Sequence, residues 1–328
     1  MRYKKLANTN IDIPVLTIGD TASIKTGEEN NPLAMENAVK TIQAMVAAGA
    51  NFIDTAYSYS NGESEIYVGE ALKHIDRTKV IINSKFGIIP EESKFRKAGV
   101  YHTDCSRKVC LTECEESLQR LGTDYLDTYM PHRFDPNVSI RETFEAMDQL
   151  KREGKIRHIG ASNYNIEQLK EAQNYAEIEL IEMQYSMLDR SREETLIWAH
   201  ENNISTMVYG ALGAGILAGR FKELPEFAPY DTRLSYRYFR EPMFSKALKI
   251  VEVLERIANR HAVNVSEVTI NWTIQKEFVT TAILGATKVE HALANCKALE
   301  WSLTEQEVDA IDRAVEQYAG KTLNIKEV

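Results

Sequence analysis

Asn51-Phe-Ile-Asp-Thr-Ala-Tyr-Ser-Tyr59 opens as a short apolar run and closes on titratable side chains. Two later stretches repeat the pattern: residues 80–83 lead into Ser84-Lys-Phe-Gly87, and the run that begins at Tyr125 ends in Tyr129-Met-Pro-His-Arg133. Short apolar runs of this kind read as buried strands. Asp54, Tyr59, Lys85 and His132 therefore fall at or just beyond the C-terminal ends of three strands. In a closed parallel barrel those ends share one face, and enzymes of that architecture carry their chemistry there.

Outward from these segments the chain keeps one rhythm. Strand-like runs occupy 15–18, 51–53, 80–83, 125–130, 157–160, 178–183, 204–208 and 281–284. Between them lie helical stripes: Ala38, Val39, Ile42, Met45 and Val46 before Gly49, then Cys110, Cys114, Leu118 and Leu121 before Gly122, then Ile140, Thr143, Phe144, Met147 and Leu150 before Gly154. Further helices are expected around 165–175, 191–202, 245–260 and 289–298. Eight strand–helix units in sequence predict an α/β fold, a (β/α)8 barrel, with residues 1–328 forming a single domain. An opening β-hairpin (3–6 and 11–13) precedes it. Extra C-terminal helices follow, one opened by Ser266 with Glu267 and a last one by Thr304 with Glu307 in a capping box. The connection 213–245 is long and rich in Gly, Pro, Arg and Tyr, and a long loop in a compact domain is usually functional.

Composition narrows the function. The chain has 328 residues, is 44% apolar and 27% charged, and carries a formal net charge of −9. An acidic balance argues against a general nucleic-acid surface or an anionic membrane. No stretch approaches the roughly 20 apolar residues that span a bilayer, and Met-Arg-Tyr-Lys-Lys begins no signal peptide, so a cytoplasmic location is expected. Cys105, Cys110, Cys114 and Cys296 are too few and too uneven for a disulfide framework. With no close-spaced CxxC pair, Cys110 and Cys114 read as core residues and no metal site is expected.

The titratable set has a chemical logic. A phenol with a reference pKa of about 10 is a reluctant acid until a cation stabilises its anion. Lys85 is placed to supply that cation, Asp54 to balance Lys85, and His132 to orient a carbonyl oxygen beside Tyr59. The combination suits carbonyl reduction. Other strand ends add Gly160-Ala-Ser162-Asn163 and Met183-Gln184-Tyr185, whose amides and hydroxyls can hold a carboxamide, and Tyr209, whose face can receive a nicotinamide ring. Tyr209-Gly-Ala-Leu-Gly-Ala-Gly-Ile-Leu217 then supplies Gly210, Leu212, Gly213 and Gly215 where backbone can approach a pyrophosphate. No strand–GxGxxG–helix fingerprint precedes it, so a Rossmann site is not expected.

These motifs, Phe52-Ile-Asp-Thr-Ala-x-x-Tyr59, Lys85, Leu126-Asp-x-x-x-x-His132, Gly154-Lys-Ile-Arg-x-Ile-Gly-Ala-Ser-Asn-Tyr164, Gln184-Tyr185 and Tyr209-Gly-Ala-Leu-Gly213, resemble the aldo-keto reductases in order and spacing. The resemblance covers nearly the whole chain. It implies a TIM barrel binding extended NADP(H), with NAD(H) as the alternative, and a small-molecule carbonyl substrate. It also implies Tyr59 as general acid with Lys85, Asp54 and His132, carboxamide ligands Ser162, Asn163 and Gln184, and Tyr209 as the stacking ring. Gly285-Ala-Thr-Lys-Val-Glu-His-Ala-Leu-Ala-Asn295 is similar to the family's adenosine-phosphate segment, which brings in Gly285, Thr287, Lys288, His291 and Asn295. Arg220 and Arg233 resemble basic residues that some relatives fold over the cofactor. The chain departs from the pattern at His291 and Ala294, and at Thr17-Ile-Gly-Asp-Thr21, where Asp20 is read as a turn residue. Two functions follow: an NADP(H)-dependent reductase of aldehydes or ketones, or a nucleotide-sensing subunit similar to channel-associated members of the family.

Overall fold

The computed structural model describes residues 1–19, 32–89, 102–228, 231–286 and 288–322. Asp20, Thr287, most of the 87–102 loop and the last residues of the tail lie outside these. A hairpin of β1 (Tyr3–Lys5) and β2 (Asp12–Pro14) comes first, followed by β3 (Leu16–Ile18), α1 (Pro32–Ala47), β4 (Phe52–Asp54), α2 (Glu63–Leu72) and β5 (Ile81–Phe86). A two-residue ribbon, β6 (Ile88–Ile89) with β7 (His102–Thr103), flanks the long loop. Then come α3 (Arg107–Leu121), β8 (Leu126–Pro131), α4 (Ile140–Arg152), β9 (Ile156–Ser162), α5 (Ile166–Ala172), β10 (Leu180–Gln184), α6 (Glu193–Glu201) and β11 (Ser205–Tyr209). The chain ends with α7 (Met243–His261), α8 (Val265–Ile274), β12 (Thr281–Leu284), α9 (Val289–Lys297) and α10 (Glu305–Tyr318). Strands β3, β4, β5, β8, β9, β10, β11 and β12 pair in parallel and close into the expected (β/α)8 barrel.

Side chains alternate across each strand, and the alternation stratifies the barrel interior. Leu6 and Ile13 of the hairpin pack on Phe52, Ile81, Met130, Leu180 and Met207 in an apolar plug. Buried polar groups make up the rest of the interior: Thr17 and Thr281 share a hydrogen bond of 2.8 Å, and Asp54, Asn83, Lys85, Thr128 and Glu182 are all shielded from solvent. Two helical details differ from expectation. α8 is opened by Asn264, whose side chain and Glu267 form the capping box, so Ser266 is inside the helix and not its cap. α2 has no counterpart among the helices expected from sequence; its buried face interleaves the polar or small Ser64, Glu65 and Gly69 with Tyr67, Val68 and Ala71. Cys110 and Cys114 are fully buried on α3 as core residues.

Candidate active site

Lys85 stands at the centre. Its ammonium donates to Asp54 Oδ1 at 2.6 Å, Thr55 O at 3.2 Å and Tyr59 OH at 3.1 Å, and none of its side chain is exposed. Asp54 is fixed from the neighbouring strand: Asn83 Nδ2 donates to Asp54 Oδ1 at 2.7 Å, and Thr128 Oγ1 donates to Asn83 Oδ1 at 2.6 Å. The register explains the chain of contacts, since Asp54 lies opposite Asn83 and Asn83 opposite Thr128. Tyr59 projects from the segment between β4 and α2. That segment is anchored by Glu65, a buried carboxylate that accepts from Ser84 Oγ on β5 and from Arg120 Nε on α3, both at 2.6 Å. Arg120 also covers the ring of Tyr57, its guanidinium carbon 4.6 Å from the ring centre.

His132, just past β8, meets Tyr59 edge to face with ring centres 5.5 Å apart, and its Nδ1 lies 3.1 Å from Ser58 Oγ. Asn163 links it to the cofactor candidates. The Asn163 amide donates to His132 O at 3.1 Å and Ser162 Oγ at 2.8 Å, and accepts from Tyr209 OH at 2.9 Å. Its backbone is left-handed, with φ 63°. Gln184 ends β10 beside Gly210, where an added Cβ would meet Gln184 Cγ at 3.6 Å. Seven of the sequence-derived residues, Asp54, Lys85, Tyr59, His132, Asn163, Ser162 and Tyr209, are therefore linked by a chain of contacts.

The rest of the expected cofactor set lies apart from this chain of contacts. Gly213 and Gly215 donate their N–H groups within the loop, to Gly210 O at 2.9 Å and Leu212 O at 3.0 Å, so they are already used. Arg233 is held by Asp231 through two hydrogen bonds from its guanidinium, at 2.9 and 2.5 Å, and lies over the ring of Phe227. Arg220, Gly285, Lys288 and His291 are exposed, while Asn295 on α9 is buried. Thr287 is outside the described residues.

Electrostatics in the buried layer correct a simple expectation about the phenol. Burial pushes the Tyr59 hydroxyl well above its ordinary value; Lys85 opposes this, while Asp54 and Glu182 add to it. The lysine tempers the phenol without overcoming its desolvation. For Lys85 itself, burial works against the charge, but Asp54, Glu182 and Tyr59 more than offset it and hold the ammonium well above the usual lysine range. Glu182 was not singled out from sequence. Its Oε2 lies 3.3 Å from Lys85 Nζ, and burial followed by the Asp54 charge pushes its carboxyl up to about 8 against the pull of Lys85. The available signal was a lone acid inside the apolar run of β10, at even spacing from Leu180 and Gln184 and hence facing inward with them.

Comparison with known proteins bears on the fold and the family. A model described as the aldo/keto reductase family matches residues 18–316. The aldo-keto reductase YhdN of Bacillus subtilis is 32% identical over 320 residues, covering 96% of this chain and 94% of its own. An NADH-specific methylglyoxal reductase of Escherichia coli is 31% identical over 316 residues, covering 93% and 95%. The solved structure of a glycerol dehydrogenase from Gluconobacter oxydans is similar with a TM-score of 0.87 at 26% identity, covering 99% of this chain and 98% of that one.

Proposed function

The chain belongs to the aldo/keto reductase family, an NAD(P)H-dependent class, and from that premise we propose that it reduces an aldehyde or ketone to an alcohol with Tyr59 as the proton donor and NADP(H) as the preferred cofactor. The observation that carries the reading is the hydrogen bond Lys85 Nζ donates to Tyr59 OH at 3.1 Å. Because the phenol oxygen accepts from the ammonium, its own proton is left to donate outward to a carbonyl oxygen. His132, edge-on to Tyr59, orients that oxygen; as the proton leaves, the Lys85 charge stabilises the phenolate, and Asp54 holds Lys85 in place. Residues 1–328 act as one domain, since the hairpin plugs the barrel and α10 packs on α7.

The donor set at the mouth fits a nicotinamide dinucleotide. Gln184 offers an amide for a carboxamide, Ser162 a hydroxyl and Tyr209 a ring face, while the Asn163 amide, bonded to His132 O, Ser162 Oγ and Tyr209 OH, would exchange one of these partners for the carboxamide. Gly210, Gly213 and Gly215 keep the wall thin where a pyrophosphate would pass, and Lys288, His291, Asn295 and Arg220 would surround the adenosine end. When bound, the cofactor supplies the hydride, and the protein supplies position and the proton. A panel of aldehydes and ketones assayed with NADPH and with NADH tests the reading. Turnover of at least one carbonyl is expected; tight cofactor binding with none turned over would replace the reductase by a nucleotide-sensing role.

A further inference from the structure

We propose that Glu182 is a positioning residue for proton transfer at Tyr59: it takes up and releases a proton inside the buried polar layer, and so sets how much of the Lys85 charge reaches the phenol. The inference rests on the carbonyl-reductase reading above.

Counting donors shows why Glu182 differs from Asp54. An ammonium has three N–H bonds. Asp54 Oδ1, Thr55 O and Tyr59 OH take all three. Glu182 Oε2, at 3.3 Å, is therefore within reach of the charge but receives no N–H, and among the described residues it has no hydrogen-bond partner. Its cross-strand neighbours, Ser162 on β9 and Met207 on β11, bear no charge. The titratable groups acting on it are Asp54 from β4, Lys85 from β5 and the phenol of Tyr59. Two carboxylates beside one ammonium would leave an uncompensated negative charge in a dry layer, which is strongly unfavourable. Binding one proton removes it, and Glu182, whose Oε2 lacks a donor, is the group that takes it. Its carboxyl is accordingly raised to about 8 by burial and by Asp54. Below that pH the Lys85 charge acts on Tyr59 opposed by Asp54 alone. Above it, ionised Glu182 raises the phenol further and disfavours the phenolate that carbonyl reduction produces.

The test pairs the parent with Glu182→Gln, which keeps the shape and stays neutral. Carbonyl reduction by the parent is expected to lose about tenfold in kcat between about pH 7 and about pH 9, while Glu182→Gln stays nearly level over that range. A variant that retains the parent's alkaline limb, or a parent without one, overturns the inference. Thermal unfolding reads the same proton without turnover. Free in the unfolded chain, Glu182 titrates at about 4.5, so the parent should lose stability relative to Glu182→Gln as pH rises from about 5 to about 8. Parallel melting curves would overturn the inference whatever became of the reductase reading. Failure of the reading shows separately, as absence of turnover with diverging melts. If Glu182→Gln does not fold, Asp54→Asn decides: with a negative neighbour removed, the parent's limb should move to lower pH, and an unmoved limb counts against Glu182.

Discussion

A phenol is a strange choice of acid for a pocket that raises its pKa, and the contacts around Tyr59 say how it would serve in the proposed reduction. In the proposed reduction the proton would leave Tyr59 only as the carbonyl oxygen gains negative charge, so what would matter is the stability of the phenolate against Lys85 at 3.1 Å, not its population at rest. Tyr59→Phe keeps the ring and its edge contact with His132 but has no proton to give. Its kcat for reduction should fall about 10²- to 10⁴-fold with cofactor affinity little changed, and a variant retaining most of the parent's kcat would remove Tyr59 from the role. Lys85→Met tests the cation. Lys85 lowers both the Tyr59 phenol and the Glu182 carboxyl, so its loss should move the alkaline limb of the pH–rate profile to higher pH while kcat drops. Superimposable profiles would reduce Lys85 to a structural partner of Asp54. Asp54, Tyr59, Lys85 and His132 were legible because each ends or follows an apolar run and so stands out against it. Glu182 was not, since its meaning depends on Lys85, which belongs to a strand far away in sequence and meets it only on closure of the barrel.

Elements divide along the same line. The eight barrel strands were legible because parallel strands covered on both faces are apolar almost throughout. α2 escaped because its buried face breaks the apolar Tyr67, Val68 and Ala71 with polar and small residues: Glu65 ties it to β5 and α3, and Gly69 allows α3 to come so close that an added Cβ would meet Arg120 O at 2.6 Å. Neither signal is a hydrophobic period. The opening of α8 was displaced to Ser266 because both Asn264 and Ser266 are cap-forming types, and only the reciprocal bond between Asn264 N and Glu267 Oε1, 3.1 Å long, identifies the true start. Cofactor choice belongs to this scale too, for it depends on which elements bring cations to the adenosine end. Arg233 is engaged by Asp231, so under the proposed reading exposed Lys288, at the start of α9, and Arg220 would be the cations that meet a 2′-phosphate. One hydrogen bond to a charged group is worth about 1.5–3 kcal/mol, so NADPH should bind at least about tenfold more tightly than NADH. Lys288→Ala should erase most of that margin, and Arg233→Ala less of it, with the difference shrinking as salt rises. Equal dissociation constants for the two cofactors in the parent would remove the NADPH preference, and tighter binding of NADH would align this chain with its NADH-specific Escherichia coli relative instead.

For the molecule as a whole, the barrel joins distant parts of the chain through buried carboxylates, and these make its stability depend on pH. Glu113 is the case furthest from the reacting groups. It lies on α3, its Oε2 accepts from Gly87 N at 3.0 Å, and it thereby fastens that helix to the chain just beyond β5, the strand that carries Lys85. Burial raises its carboxyl to about 7, with Glu116 and Glu65 adding to the effect and the Gly87 N–H and Arg120 opposing it. In the unfolded chain the same group titrates at about 4.5. Between those values the folded protein keeps a proton that the unfolded chain releases, so the contribution is complete below about pH 4.5 and is lost as pH rises to about 7. The loss amounts to at most about 3 kcal/mol, or roughly 3–8 °C in Tm. Glu113→Gln is neutral in both states and should lack this part of the slope. Comparing the two melting curves from about pH 4.5 to about pH 8 cancels what they share, including the proton on Glu182 and the repulsion of a chain with net charge −9. The parent should lose ground steadily to the variant through the window and run parallel to it above. Curves parallel throughout would mean that Glu113 is ionised in the folded state and that α3 is fastened to the chain beyond β5 by a carboxylate, not by a neutral acid.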